Sequence, residues 1–396
     1  MKSKLPLKYY VVLGLFFATM LTSLMPENIY VLFLFSVACF VFLPLKKYWD
    51  KACGALVIFS IFYCINQILT VGIDSGFNIL SILIAPASFY RFGRWTMDWL
   101  VDDTKRLKFL FGSVVCYLLP MLFLTIQDIV LVGIVNPSRH FVTDFSKDDT
   151  GLAATLYGLM SSVGIGFVSV LFIKQLKLKK KVWYSIPLLI SILTVIHLVN
   201  RTGLALLIIC VLFAIAYSSK RNPAKLIIAT AIVVIIVLVV LQSGLISQDI
   251  FDAYTAREND SSTNTAEFGG RLQKWELAIV DVFTNPFGFD RKLYGYAHNL
   301  WLDMCAIGGW LALSPFLVFT IKPLSSFRKL FHSYLTPYRM ALMTVFVSMF
   351  CNAMVEPVIE GSILFFVMLI MISGMVIALS QENDRLKREQ QTRTPS

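Results

Sequence analysis

Apolar residues recur along this chain in long unbroken runs, each closed by a short polar segment. The runs fall near 9–25, 29–45, 53–72, 76–90, 107–126, 151–173, 182–199, 202–218, 226–244, 298–320, 340–358 and 362–380. Each is roughly 15–23 residues long, against the ~20 that a helix needs to cross the hydrocarbon layer. The pattern predicts one all-α polytopic membrane domain over 1–396 with about 12 transmembrane helices, the short run 76–90 being also compatible with a re-entrant segment. Two polar interruptions are long, 127–150 and 245–297. Within the second, Leu272, Trp275, Ile279 and Phe283 recur at helical spacing. They predict an amphipathic helix over 271–283, lying on the membrane surface over the bundle. Asn285-Pro286 ends it, because proline disfavours helix for the residue before it.

Composition agrees with the pattern. Hydrophobic residues make up 57% of the chain and charged ones 15%, and the mean hydropathy is +0.73. A soluble fold of this length could not hide so much apolar surface. The formal net charge of +11 raises the question of nucleic acid. Its distribution answers no, because the cations sit in short clusters between apolar runs, which is a topology signal. The segments 1–8, 46–52, 91–106, 174–181, 219–225, 321–339 and 381–396, with Lys108 at a boundary, hold 27 of the 35 Lys and Arg residues, and the other side keeps eight. By the positive-inside rule the topology is N-in and C-in. The loop 245–297, between the ninth and tenth runs, is then the major outer loop, and 381–396 is a solvated cytoplasmic tail. Segment 91–106, with Trp95 and Trp99, reads as an interfacial helix. All seven cysteines lie in apolar segments, which argues against disulfides. The first run is followed directly by others without a small-residue cleavage site, so a retained helix is expected rather than a removed signal peptide. No internal repeat or separate soluble domain is visible.

The candidate chemistry gathers at the outer rim. His298 is expected at the outer end of the tenth helix, where unpaired N–H groups and a partial positive charge favour neutral imidazole. Such a histidine suits proton abstraction from a hydroxyl, or else simply caps a helix at headgroup level. Arg201, in the short turn Asn200-Arg201-Thr202-Gly203, stands at a helix start that is itself an anion site. It fits a diphosphate, or equally a lipid-phosphate anchor. Arg271 and Lys274 lie one helical turn apart and can present a paired cationic face, with a solvated face as the plainer reading for Lys274. Asn299 and Asp303 share a face, Asp303 about 7 Å below the start of the tenth helix, which makes Asp303 a supporting partner. Glu356 and Glu360 flank Pro357. A solvated turn is the expected setting, with orientation of His298 or binding of sugar hydroxyls as the alternative. Arg139-His140 reads as plain loop, with substrate contact as the alternative, and Asp148-Asp149 could hold a divalent ion, but no histidine or cysteine set at metal-ligand spacing supports a metal site. No role is assigned to His197. A carrier would keep polar or ionisable groups near the bilayer midplane. The runs lack charges there, which favours surface chemistry over transport or flipping.

The segments Gly270-Arg271-Leu272, Trp275-Glu276, Asn285-Pro286-Phe287-Gly288 and His298-Asn299, then Leu302, Gly308-Gly309 and Leu311, preceded by Arg201-Thr202-Gly203 opening a helix, carry a resemblance. Over about 190–320 the chain resembles the bacterial O-antigen ligase and O-antigen polymerase superfamily. The resemblance implies a GT-C-like, multi-pass glycosyltransferase of the bacterial inner membrane, acting on its outer face without cofactor or metal. Its donor would be an undecaprenyl-diphosphate-linked glycan, and its acceptor another glycan (polymerase) or the lipid A core (ligase). By position, Arg201 and Arg271 would hold the diphosphate and His298 would activate the acceptor hydroxyl, with inversion at the anomeric carbon. Arg271 and His298 are 27 positions apart, a short separation that leans toward polymerase.

Overall fold

The computed structural model describes residues 6–70, 72, 76–136, 141, 153–219, 248–259, 270–289 and 295–393. The expected ninth span, 226–244, lies outside the described residues, as do Arg139, His140, Asp148 and Asp149.

In chain order the helices are α1 (Leu7–Leu21), α2 (Asn28–Phe42), α3 (Leu45–Tyr48), α4 (Lys51–Thr70), α5 (Gly76–Trp99), α6 (Asp103–Val132) and α7 (Ala153–Ile165). A tighter 3-10 stretch, Gly166–Phe172, continues α7. There follow α8 (Leu178–Tyr184), α9 (Ile186–His197), α10 (Arg201–Ser219), α11 (Gln248–Asn259), α12 (Arg271–Thr284), α13 (Leu300–Phe331), α14 (Pro337–Ala353), α15 (Val358–Gly361) and α16 (Ile363–Arg393). Among the described residues no strand occurs. Among the described residues six helical stretches are long and apolar enough to cross a membrane: 51–70, 103–132, 155–172, 201–219, 300–331 and 363–392. Three shorter apolar helices, α1, α2 and α9, accompany them. The chain is therefore a helical membrane protein by length and composition of its helices.

α16 is the hub. Of its most apolar stretch 89% is buried, against 33% for α10. It reaches α5 through two glycines. A Cβ on Gly93 would lie 2.2 Å from the Met371 carbonyl oxygen, and one on Gly374 would lie 2.6 Å from that of Tyr90. Only glycine lets the two backbones approach so closely, the usual way that helices associate without water to drive them together.

Three expectations change. Segment 91–106 is not an interfacial helix. α5 runs unbroken to Trp99, and the fully buried Arg91 donates from Nη2 to the Leu43 carbonyl at 2.8 Å. Position 381 is no helix boundary either, because α16 continues to Arg393; its residues 382–384 pack, and 385–392 are exposed as a solvated tail would be. Arg106 Nη2 meets Glu382 at 2.9 Å and Lys329 meets Asp384 at 3.0 Å. Arg94 pairs with Asp50 at 2.5 Å and Lys47 with Asp98 at 2.7 Å. Lastly, the face of α12 marked by Leu272, Ile279 and Phe283 is exposed, while Ala278 and Val282 are buried and Trp275 is half-buried. The helix is apolar on both sides, so its periodicity did not single out the face that packs on the bundle.

Candidate functional site

At the end of the bundle away from the Arg94–Asp50 and Arg106–Glu382 pairs, four distant segments meet. The first is α12. Gly270 caps its start with φ 75°, a left-handed turn that glycine takes without steric cost. Arg271 follows as the first helical residue. The Trp275 indole donates to the Ala297 carbonyl at 2.7 Å, and the Trp310 indole donates to the Val282 carbonyl at 2.8 Å. Both ends of α12 are thereby fixed against α13 and the segment before it.

The turn after α12 docks into a break in α13. Gly309 has φ 58° and ψ −167° inside the helix, a region essentially restricted to glycine. A Cβ there would stand 2.5 Å from the Pro286 carbonyl oxygen. Backbone groups freed by the break find partners in the turn. Trp310 N donates to Pro286 O at 2.8 Å, and Phe289 N donates to Ala306 O at 2.9 Å. Asn66 of α4 donates to both Phe287 O (3.2 Å) and Gly308 O (3.0 Å). The Asn-Pro-Phe-Gly and Gly-Gly segments are thus two halves of one joint, with Asn66 as a clasp that sequence reasoning did not find.

His298 stands two residues before the first helical residue of α13, not within the helix as expected. Its φ is 54°, an uncommon value for a residue with a side chain. Asp303 holds it there. The buried carboxylate accepts from Ala297 N at 2.8 Å through Oδ1 and from Asn299 N at 3.0 Å through Oδ2, so it grips the backbone on both sides of the histidine. Asn299 is the helix cap, its Oδ1 accepting from Trp301 N and Leu302 N. Its Nδ2 donates to the Met354 carbonyl at 3.0 Å. This reciprocal cap uses orphan amides that a helix start always leaves.

Glu356, in the turn between α14 and α15, is the centre of the cluster. It is 6% exposed, which overturns the solvated-turn expectation. Oε1 accepts from Arg271 Nη2 at 2.8 Å and from the Thr202 hydroxyl at 3.2 Å. Oε2 lies 3.5 Å from His298 Nδ1. That is ion-pair range without the alignment of a full hydrogen bond, and Nδ1 is buried with no other partner among the described residues. Burial pushes the Glu356 carboxyl upward, but His298, Arg271 and Thr202 together outweigh it and hold it below its usual range. The group is a buried carboxylate kept ionised by cationic and hydroxyl neighbours.

The turn into α10 brings the fourth segment. Val199 has φ 50°, and Asn200 caps the helix by accepting from Gly203 N at 2.9 Å. Arg201 is therefore the first residue of α10, half-buried and beside the Thr202 that bonds Glu356. Below it, the buried His197 bonds Asp128 through Nε2 at 2.8 Å and the Ile134 carbonyl through Nδ1 at 2.9 Å. Asn136 donates to the same Asp128 oxygen at 2.6 Å. This network ties the ends of α6 and α9 and secures the turn that presents Arg201.

The structure thus joins Arg271, His298 and Glu356 directly, with Arg201 next to the bonding Thr202. Lys274 is half-buried one turn further along α12, and Asn299 and Asp303 support His298 without touching its ring through any contact described above. Glu360 is half-buried in α15. Thr202, the Asn66 clasp and the hub role of Glu356 were missed. Among the described residues no group of three or more His, Cys, Asp or Glu side chains is set to hold a metal ion. No protein-family model matches the chain, and no curated protein matches it.

Proposed function

We propose that this chain is an inverting, metal-independent membrane glycosyltransferase of the O-antigen polymerase and ligase type, working on the outer face of a bacterial inner membrane. The reading includes about 12 spans with both termini cytoplasmic. It is supported by the two ends of the bundle: the cluster around Glu356 lies at the end poor in lysine and arginine, and the Lys47, Arg94 and Arg106 ion pairs lie at the other. One observation carries the chemistry. A single buried carboxylate is shared by a guanidinium and an imidazole from distant parts of the chain, at the start of a helix that carries a second arginine.

Each group then has a task. Nδ1 of His298 faces Glu356, so Nε2 is the nitrogen that meets the acceptor hydroxyl and takes its proton. The acceptor oxygen forms its bond to the anomeric carbon as the bond from that carbon to the diphosphate breaks. The resulting imidazolium is stabilised by Glu356 across Nδ1. The leaving undecaprenyl diphosphate needs charge stabilisation more than protonation, and Arg271 and Arg201 supply it through guanidinium contacts, assisted by the α10 N-terminus. Single displacement inverts the anomeric centre.

The test is reconstitution of the purified chain in liposomes with an undecaprenyl-diphosphate-linked repeat unit, with and without lipid A core. Longer lipid-linked chains identify a polymerase, which is the outcome expected here. Transfer to core identifies a ligase. No glycan transfer under either condition overturns the proposal.

A further inference from the structure

Arg271 cannot give the same N–H to a phosphate and to Glu356. Its Nη2 is 2.8 Å from Glu356 Oε1, and the only other described donor to that oxygen is the Thr202 hydroxyl at 3.2 Å. The opposite oxygen of the same carboxylate looks at a buried ring nitrogen 3.5 Å away that has no full hydrogen bond. The geometry is lopsided: one oxygen is satisfied by the cation, and the other is poised, but not closed, on the imidazole. With His298 neutral, the Arg271–Glu356 pair carries no net charge, so a dianionic ligand gains little from Arg271 until the carboxylate lets go.

We infer that Glu356 is a shared counter-ion which an anionic lipid diphosphate displaces from Arg271, so that donor binding and proton acceptance at His298 are coupled through one carboxylate. This rests on the diphosphate reading of the site given above. As phosphate oxygens take Nη2, Glu356 gives up that contact and closes the gap to His298 Nδ1. Once the acceptor proton reaches Nε2, the imidazolium holds the carboxylate more strongly and keeps Arg271 free for the leaving group. An interaction that strengthens as charge develops lowers the barrier, whereas one equally strong throughout does not. Glu356 is in this sense a positioning residue. It acts through Arg271 and His298 and need not touch substrate.

The experiment measures binding of a short-chain prenyl diphosphate to the full-length protein in detergent, alongside glycan transfer, for wild type, Arg271→Ala, Glu356→Gln and Thr202→Val. Arg271→Ala should weaken binding by about tenfold or more, the low end for a hydrogen bond between charged groups. Glu356→Gln should bind the probe about tenfold more tightly while transfer falls, a split that general damage to the fold would not give. Thr202→Val is nearly isosteric and loosens the carboxylate on the arginine side. It should shift binding in the same direction by a smaller factor, which covers the case in which Glu356→Gln does not fold. Equal or weaker probe binding by both Glu356→Gln and Thr202→Val, with Arg271→Ala still impaired, overturns the displacement and makes Glu356 a plain anchor for Arg271. Absence of probe binding in wild type removes the diphosphate reading itself, and the displacement with it.

Discussion

Asp303 offers a quantitative test of how the site is held. Its two carboxylate oxygens accept from the amides of Ala297 and Asn299 at 2.8 and 3.0 Å, and the residue between them has φ 54°. Holding a non-glycine residue in that region costs about 1–3 kcal/mol. Each amide bond to a charged acceptor contributes about 1.5–3 kcal/mol, so the clamp exceeds the strain. Asp303→Asn keeps one acceptor and turns an NH2 toward the other amide. A single neutral bond of about 0.5–1.5 kcal/mol no longer exceeds the strain, and the histidine backbone is released. The helix itself survives, because Asn299 still caps it. If misplacing the imidazole raises the barrier by about 2 kcal/mol, kcat falls roughly 30-fold. Donor KM should move little, since the Arg271 guanidinium is held by Glu356 rather than by Asp303. Proteoliposome transfer assays across a donor concentration series read both constants, with thermal unfolding in detergent as the control for folding. An unchanged kcat in a folded Asp303→Asn protein would refute the idea that this clamp sets the position of His298.

Other outcomes follow from the same geometry. Gly309→Ala places a Cβ 2.5 Å from a backbone oxygen in a glycine-only conformation, so it should destabilise the protein by about 2–4 kcal/mol, read as a lower midpoint of thermal unfolding. Asn66→Ala, which removes the clasp over the same joint, should act in the same direction by about 1–2 kcal/mol. Glu356 has its folded-state pKa lowered from an ordinary value of 4.5. Its contribution to stability is therefore fully present above that value and is lost as pH falls through the lowered folded value. Unfolding midpoints measured from neutral pH downward should show that acid loss in wild type, and Glu356→Gln should lack this component.

Much of the architecture was legible in the apolar runs, because a helix that crosses lipid must be about 20 residues long and apolar nearly throughout. The α12 helix and its end at Asn285-Pro286 were equally legible, since a local rule about proline decides them. Orientation was not. Leu272, Ile279 and Phe283 are as apolar as Trp275, Ala278 and Val282, and in a lipid environment both faces can be satisfied. Glu356 read as a turn residue because the partners that keep it ionised are contributed by α10, α12 and the start of α13, 85 positions away in the case of Arg271. Gly308-Gly309 was visible as a motif. Its role as a socket for the 286–289 turn exists only in three dimensions. His298 was singled out on helix-end electrostatics, but the device that holds it, a carboxylate five residues ahead gripping both flanking amides, follows from a backbone angle that no spacing encodes.

The most direct measurement is glycan transfer by His298→Ala in liposomes, with a lipid-linked repeat unit as the sole donor and acceptor and wild type and Arg271→Ala alongside. Wild type should build longer lipid-linked chains. His298→Ala and Arg271→Ala should insert normally and build none. Chains of wild-type length from a correctly inserted His298→Ala protein would contradict the account at its centre, because no proton acceptor would then be needed where the structure brings imidazole, guanidinium and carboxylate together.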